Sequence, residues 1–340
     1  MSFDPIHLTR SLVDIESTTY NEGAVGAWLE AFLEGLGFVV ERMPVPQPPE
    51  SRYTGDRFNL YAGANGVRPD VVFSTHMDTV PPYIASSEDE EFLYGRGSCD
   101  AKGIIAAQIA AAVRLRDAGA KVGLLFVVGE ERDSAGAKLA NQQTKGSRYL
   151  INGEPTDNRL ALASKGALRA TIRATGKMGH SAYPELGESA IHKLVQALDR
   201  VLALKLPVVE EIGPGTLNIG VSEGGHAPNV IADAAEAHVL VRLVGPSEEV
   251  RALIEQAVAG FATVEFTLDI PFMRMRKIEG LETMVAAFTT DIPALSNWGE
   301  PLLLGPGSIH VAHTPYERLA KKELHQAIDL YTEVALRLLR

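Results

Sequence analysis

The sequence predicts an α/β fold in which a mainly parallel sheet is flanked by helices and a smaller unit is inserted into the larger one. Three observations carry that prediction. Short apolar runs alternate with helical periodicity through the first half, the pattern of strands joined by crossover helices. After Lys165 the rhythm changes to strand, helix, two strands, helix, strand, the βαββαβ order of a ferredoxin-like unit. The 340 residues, 46% hydrophobic and 22% charged, suit two domains that each bury a core without disulfides.

Taken along the chain, Pro5 to Ile15 and Asn21 to Leu36 have helical spacing, the second with Asn21 at the N-cap and Gly37 as its stop. The runs FVVERM, FNLYAG and DVVFST read as strands, and KGIIAAQIAAAVRLRDAG as an alanine-rich helix ending on Gly119. VGLLFVVG, RYLING and LALASK are further strands. In the inserted part, strands are expected near Leu168 to Ala174, Gly215 to Ser222, Ile231 to Leu243 and Thr263 to Ile270, with helices near Ser189 to Leu204 and Ser247 to Gly260. Pro271 closes it. From about Arg274 the pattern predicts a helix, the run PLLLG and a long amphipathic helix from Tyr316 to Leu339. The domain assignment is therefore 1–165 with 273–340 for the larger domain and 166–272 for the insert.

Composition excludes several classes of function. The formal net charge of −11 opposes nucleic-acid phosphates and anionic membrane surfaces as partners. The mean hydropathy is +0.02, and no apolar run approaches the roughly 20 residues that span a bilayer. The lone Cys99 cannot form an internal disulfide, and MSFDPIHLTR lacks the apolar core of a signal peptide. A cytoplasmic location is expected.

In open α/β sheets, ligands bind beyond the carboxyl ends of the strands. Four runs lead there into metal-ligand chemistry: DVVFST into His76 and Asp78, VGLLFVVG into Glu130 and Glu131, RYLING into Glu154, and PLLLGPGSIHVA into His313. Asp100 stands at the start of the alanine-rich helix. Singly, each has an ordinary structural reading, as a loop histidine, a helix cap or a solvated glutamate pair. Together they place five carboxylates and two imidazoles at one sheet edge, where like charges need a cation or a proton to compensate them. That inventory exceeds one tetrahedral zinc and fits two divalent ions sharing a bridging carboxylate.

The motifs HMDTVPP, GRGSCDAKGI, VVGEE, NGEPT, GKMGHSA and GPGSIHVAHTPYE, in this order, resemble the di-zinc amidohydrolase and carboxypeptidase family of acetylornithine deacetylase and succinyl-diaminopimelate desuccinylase. The likeness covers nearly the whole chain. It implies a zinc-exopeptidase-like catalytic domain, an inserted lid or dimerisation domain, a homodimer formed through that insert, and two metal ions, zinc with cobalt or manganese as substitutes. Carried over by position, His76 and Glu154 would hold one ion, Glu131 and His313 the other, and Asp100 would bridge them. Asp78 would orient the His76 imidazole, and Glu130 would be the general base. His180 of GKMGHSA would steady the oxyanion, and Asn229 and Arg242 would bind substrate, the guanidinium suiting a carboxylate. AHTPYERL departs from the usual AHTPNEY or AHQPDEY, which touches the pocket rim and leaves His313 in place.

Competing motifs fall away. GVSEG has the letters of a nucleophile elbow, but GGHAPN follows Ser222 where a helix is required. GRGSCDAKG lacks the spacing of nucleotide-binding loops. Cys99 reads as a packing residue, and His310 competes with His313, which the resemblance favours. The expected reaction is hydrolysis of the amide of a small N-acyl amino acid, with N-acetylornithine as the best substrate, by a metal-bridged hydroxide with Glu130 as base. The alternatives are a dipeptidase or carboxypeptidase with the same centre, and a non-catalytic metabolite-binding homologue.

Overall fold

The computed structural model describes residues 3–340, which divide into two compact units: 3–162, Met275–Met284 and Thr290–Arg340 in the first, Ala163–Arg274 and Val285–Thr289 in the second. The first unit is built on a six-stranded sheet. Its strands run in the order Val39–Val45, Arg57–Gly63, Val122–Val127, Val71–His76, Tyr149–Asn152, Glu300–Leu303. The last four are mutually parallel, and the first two join as antiparallel neighbours.

Val71–His76 and Val122–Val127 are buried along their whole length. Strands covered on both faces need continuous rather than alternating apolar character, which explains the runs VVFSTH and VGLLFV. Helix Lys102–Asp117 is buried on nearly every side. Its alanines and isoleucines pack in one core with Phe73, Phe126, Leu304 and the C-terminal helix Lys321–Leu339. That helix and the N-terminal helix Pro5–Val13, capped by Asp4 through the Ile6 N–H at 2.9 Å, complete the layer.

The second unit is a four-stranded antiparallel sheet in the order Thr216–Gly224, Ala234–Leu243, Gly166–Thr175, Thr263–Ile270. Helices Ala190–Leu202 and Ser247–Val258 complete the βαββαβ order. Residues of Ala234–Leu243 alternate between buried and partly exposed, and Leu168, Ile172, Val239 and Val241 form a core with Leu194, Val201 and Ile254.

Four local expectations change. The second helix starts at Gly23 with Glu22 at its N-cap; Asn21 lies outside, in a turn where its N–H reaches the Thr18 carbonyl, because Glu22 turns inward to Arg57. The helix expected past Arg274 is replaced by the short strands Met273–Arg274 and Thr283–Ala286 and a 3-10 segment, Ile292–Trp298. Pairing with the strand Leu160–Ser164 overrides the helical propensity of MRMRKIEGLE. The C-terminal helix begins at Lys321 rather than Tyr316, since Arg318–Ala320 first pairs with Phe92–Tyr94. A helix the sequence reading omits, Ala135–Gln142, follows Asp133, whose carboxylate accepts the Ala135 N–H.

Candidate metal centre

Strand Val71–His76 is the point where the chain changes its direction of travel across the sheet: Val122–Val127 is laid on one side of it and Tyr149–Asn152 on the other. A crevice beyond the carboxyl ends results at such a point. His76 is the last residue of its strand. After Val122–Val127 the chain turns through Gly129 at φ +80°, where a Cβ would lie 2.5 Å from the Arg57 guanidinium, and so presents Glu130 and Glu131. After Tyr149–Asn152, Gly153 passes so close to the alanine-rich helix that a Cβ would lie 2.3 Å from Ile104. Glu154 is thereby carried to the same edge. His313 adopts φ 63°, a left-handed conformation that costs energy in a non-glycine residue.

These elements bring together two donor groups, His76 with Asp100 and Glu154, and Asp100 with Glu131 and His313; in each, one donor atom per residue lies within 4.8 Å of the others. His76 Nε2 is 3.0 Å from Asp100 Oδ1 and 4.0 Å from Glu154. His313 Nε2 is 2.9 Å from Glu131 Oε1 and 3.3 Å from Asp100 Oδ2. Asp100 thus offers a different oxygen to each group. His76 is fully buried, and His313 is about half exposed, with 48% of its side chain accessible.

Asp78 has more than one task. Its backbone carbonyl is 2.9 Å from His76 Nδ1, nearer than its carboxylate at 3.6 Å. The carboxylate accepts the N–H groups of Glu130 and Glu131 at 3.1 and 3.3 Å and the Thr19 hydroxyl at 2.8 Å. One buried side chain therefore supports the imidazole on one side and fixes the glutamate loop on the other.

The electrostatics describe a site short of positive charge. Burial, then the Glu154 charge, raises Glu130 well above the usual carboxylate range, and burial likewise raises Glu154 and Glu131. Burial would raise Asp100 too, but hydrogen bonds to His313 and His76 outweigh it and hold it low. The same bonds, from Asp100 and then Glu131, push His313 up to about 10. Glu154 Oε1 is buried without a hydrogen-bond partner. An orphaned carboxylate oxygen beside an imidazole and a second carboxylate fits a divalent cation, and this donor chemistry suits zinc, with cobalt or manganese as substitutes.

The other expected site residues lie in the second unit. His180 is in the short strand Gly179–His180, exposed, with its Nδ1 accepting the Ala182 N–H. The Asn229 carbonyl accepts the Ser181 N–H at 3.1 Å. Arg242, on strand Ala234–Leu243, is partly buried and forms no ion pair among the described residues. Cys99 is fully buried.

Sequence reasoning missed several buried charges. Glu22 and Arg57 form a fully buried pair at 3.2 Å. Asp291 is fully buried, and burial pushes it up to about 6. Arg96 and Glu317 form another buried pair. Arg96 and Glu317 carried a signal, since each lies inside a motif that also holds a candidate ligand, GRGSCDAKGI with Asp100 and GPGSIHVAHTPYE with His313.

Residues 162–265 match the family model of a peptidase dimerisation domain. Across 98% of its length the chain is 37% identical to a peptidase M20 domain-containing protein of Schizosaccharomyces pombe, of which the match covers 85%. It is 36% identical, over 97% of its length, to a probable carboxypeptidase of Paracoccidioides brasiliensis, with 84% of that protein covered. Among solved structures, a tripeptidase of Staphylococcus aureus has the same fold, at a TM-score of 0.80 and 22% identity, with 97% of this chain and 98% of that one covered.

Proposed function

The chain belongs to the M20 peptidase family, a family of amide-bond hydrolases, and from that membership we propose that it is a dinuclear metallopeptidase that cleaves small peptides with a free C-terminal carboxylate. The observation that carries the reading is Asp100, whose two oxygens face two separate His–carboxylate groups. His76 and Glu154 would hold one ion and Glu131 and His313 the other, with Asp100 between them. Bound there, two divalent ions would supply Lewis acidity to the amide carbonyl and to the attacking water.

The chain's own residues would do the rest. Glu130, partly exposed at the start of the loop that also carries Glu131, is the candidate to take a proton from water and deliver it to the leaving amine. Asp78 accepts the Glu130 backbone N–H and so anchors the loop that presents this carboxylate. Arg242, unpaired in its strand, is the candidate for the substrate carboxylate; His180 and Asn229 are the candidates for the tetrahedral oxyanion and the substrate backbone. A homodimer through the inserted unit is part of the proposal. The buried lone Cys99 suits a reducing compartment such as the cytoplasm.

The relatives named as carboxypeptidases favour this substrate class over the N-acetylornithine expected from motif likeness. Deacetylation stays as the second reading because GEPT at Glu154 and the GPGS start of the last motif resemble that branch. A panel of dipeptides, N-acetylornithine, N-acetylcitrulline and succinyl-diaminopimelate, run with and without chelator, separates them. Dipeptide cleavage that is lost on blocking the C-terminal carboxylate supports the peptidase. Faster turnover of N-acetylornithine than of any peptide restores the deacetylase. Fewer than two divalent ions per chain after reconstitution, with no turnover, supports a metabolite-binding homologue.

A further inference from the structure

Glu317 lies four residues past His313, is 2% exposed, and has both carboxylate oxygens engaged. Oε1 accepts three N–H groups of one loop, from Gly97 at 2.9 Å, Asp100 at 3.1 Å and Cys99 at 3.2 Å. Oε2 pairs with the Arg96 guanidinium, which is 3% exposed. The same guanidinium donates to the carbonyls of Thr314 and Pro82, each at 3.3 Å. The Glu317 backbone carbonyl accepts the Gly95 N–H at 3.2 Å. The loop that carries Asp100 and the segment that carries His313 are therefore stitched together through one buried ion pair.

We propose that Glu317, paired with Arg96, is a positioning residue that sets the shared carboxylate Asp100 against His313 by holding the Asp100 backbone. The inference rests on the reading of Asp100 and His313 as metal ligands. The physical argument is one of number and geometry. A single carboxylate oxygen gathering three N–H groups fixes the backbone of the loop 97–100 more narrowly than one bond would. A carboxylate facing a guanidinium is charge-assisted and short-ranged, so it loses its hold when either partner changes shape or charge. Asp100 can offer different oxygens to two donor groups only while its backbone stays in place. Packing alone gives another account of the pair, and the two accounts differ in what a near-isosteric change does.

Glu317→Gln keeps the volume and one acceptor but places an amide NH₂ group against either Arg96 or the three N–H groups. Zinc affinity is read by competition with a chromophoric chelator, and site geometry by the visible spectrum of the cobalt(II)-loaded full chain. The expected result is a loss of about 10- to 100-fold in the affinity of the weaker ion and a changed cobalt spectrum, together with a lowered metal-free melting temperature because Arg96 loses its buried counter-charge. Glu317→Asp, which keeps the charge, should recover part of the affinity. Zinc affinity within twofold of the parent and an unchanged cobalt spectrum in Glu317→Gln overturn the inference. If that variant does not fold, Arg96→Lys, which keeps the cation but not the fork to Thr314 and Pro82, is read by the same criteria. A parent protein that binds no divalent ion is a different failure, since it overturns the metal reading itself.

Discussion

The two units place charge in opposite ways. The first buries His76, Asp78, Asp100 and Glu154 together with Glu22, Arg57, Arg96, Lys102, Asp291 and Glu317. In the second, among the described residues, Lys165 is the one buried charged side chain, and its Nζ donates to the Pro214 carbonyl. Its ion pairs, such as Arg173 with Glu236 and Glu265, are at the surface. Charges removed from water cost free energy unless they are paired, hydrogen-bonded or coordinated. The first unit accepts that cost at the sheet edge, where chemistry requires it. The second keeps an apolar core and an amphipathic sheet, as a platform does.

Metal removal is expected to break this contrast most strongly. Chelation should abolish turnover and lower the melting temperature of the first unit, since an ion at about 1,000 times its dissociation constant stabilises by about 4 kcal/mol. Both tryptophans, Trp28 and Trp298, lie in that unit, so their fluorescence follows it alone, and calorimetry follows the whole chain. An unchanged tryptophan melting curve after complete metal removal would show the buried carboxylates to be self-sufficient. Next in size, Glu130→Ala should reduce kcat by about 10²- to 10⁴-fold with two ions per chain still found by elemental analysis. Activity close to the parent's would remove Glu130 from its role.

A smaller effect is expected from Lys102, whose Nζ donates to the Ile15 carbonyl at 2.7 Å. Burial pushes its ammonium down to about 7, from 10.5. Below about pH 7 the lysine is charged in both the folded and the unfolded chain, and the full cost of burying it is present. Between about 7 and 10.5 the unfolded chain binds the extra proton, so stability rises with pH and the cost is lifted. Lys102→Met should therefore raise the melting temperature at pH 6.5 by about 3 °C more than at pH 9.5. Equal shifts at both pH values would mean that Lys102 is not buried as a cation. The smallest effect belongs to the second unit: Arg173→Ala should shift the melting temperature by no more than about 1 °C, because its two partners are exposed. A larger shift would mean that this surface pair is structurally coupled.

Legibility in the sequence follows the same division. The candidates His76, Glu130, Glu131 and Glu154 were readable as a set because each follows an apolar run with the character of a buried strand, and their separate roles, with that of His313, came from the likeness of the motifs. Strands of the second unit were readable from alternation. What stayed hidden depends on tertiary partners. Glu22 reads as a solvated helix start, yet it faces Arg57. Glu317 reads as part of a helix, yet it turns back to hold the Asp100 loop, ahead of the strand Arg318–Ala320 that precedes the helix. The segment after Arg274 has helix-forming residues but is claimed by a neighbouring strand. Helix Ala135–Gln142 is too short for periodicity to reveal.

The proposed ligands of one centre are interleaved with the insert along the chain, from His76 and Glu154 on one side to His313 on the other. During synthesis at about 5 to 20 residues per second, His76, Asp100 and Glu154 are translated before the second unit is. The group that needs His313, and the sheet strand Glu300–Leu303, must wait until that unit has been translated. On the proposed ligand assignment, assembly of the centre would be a timed event, with one ion's donors supplied early and the other's withheld until His313 has been made.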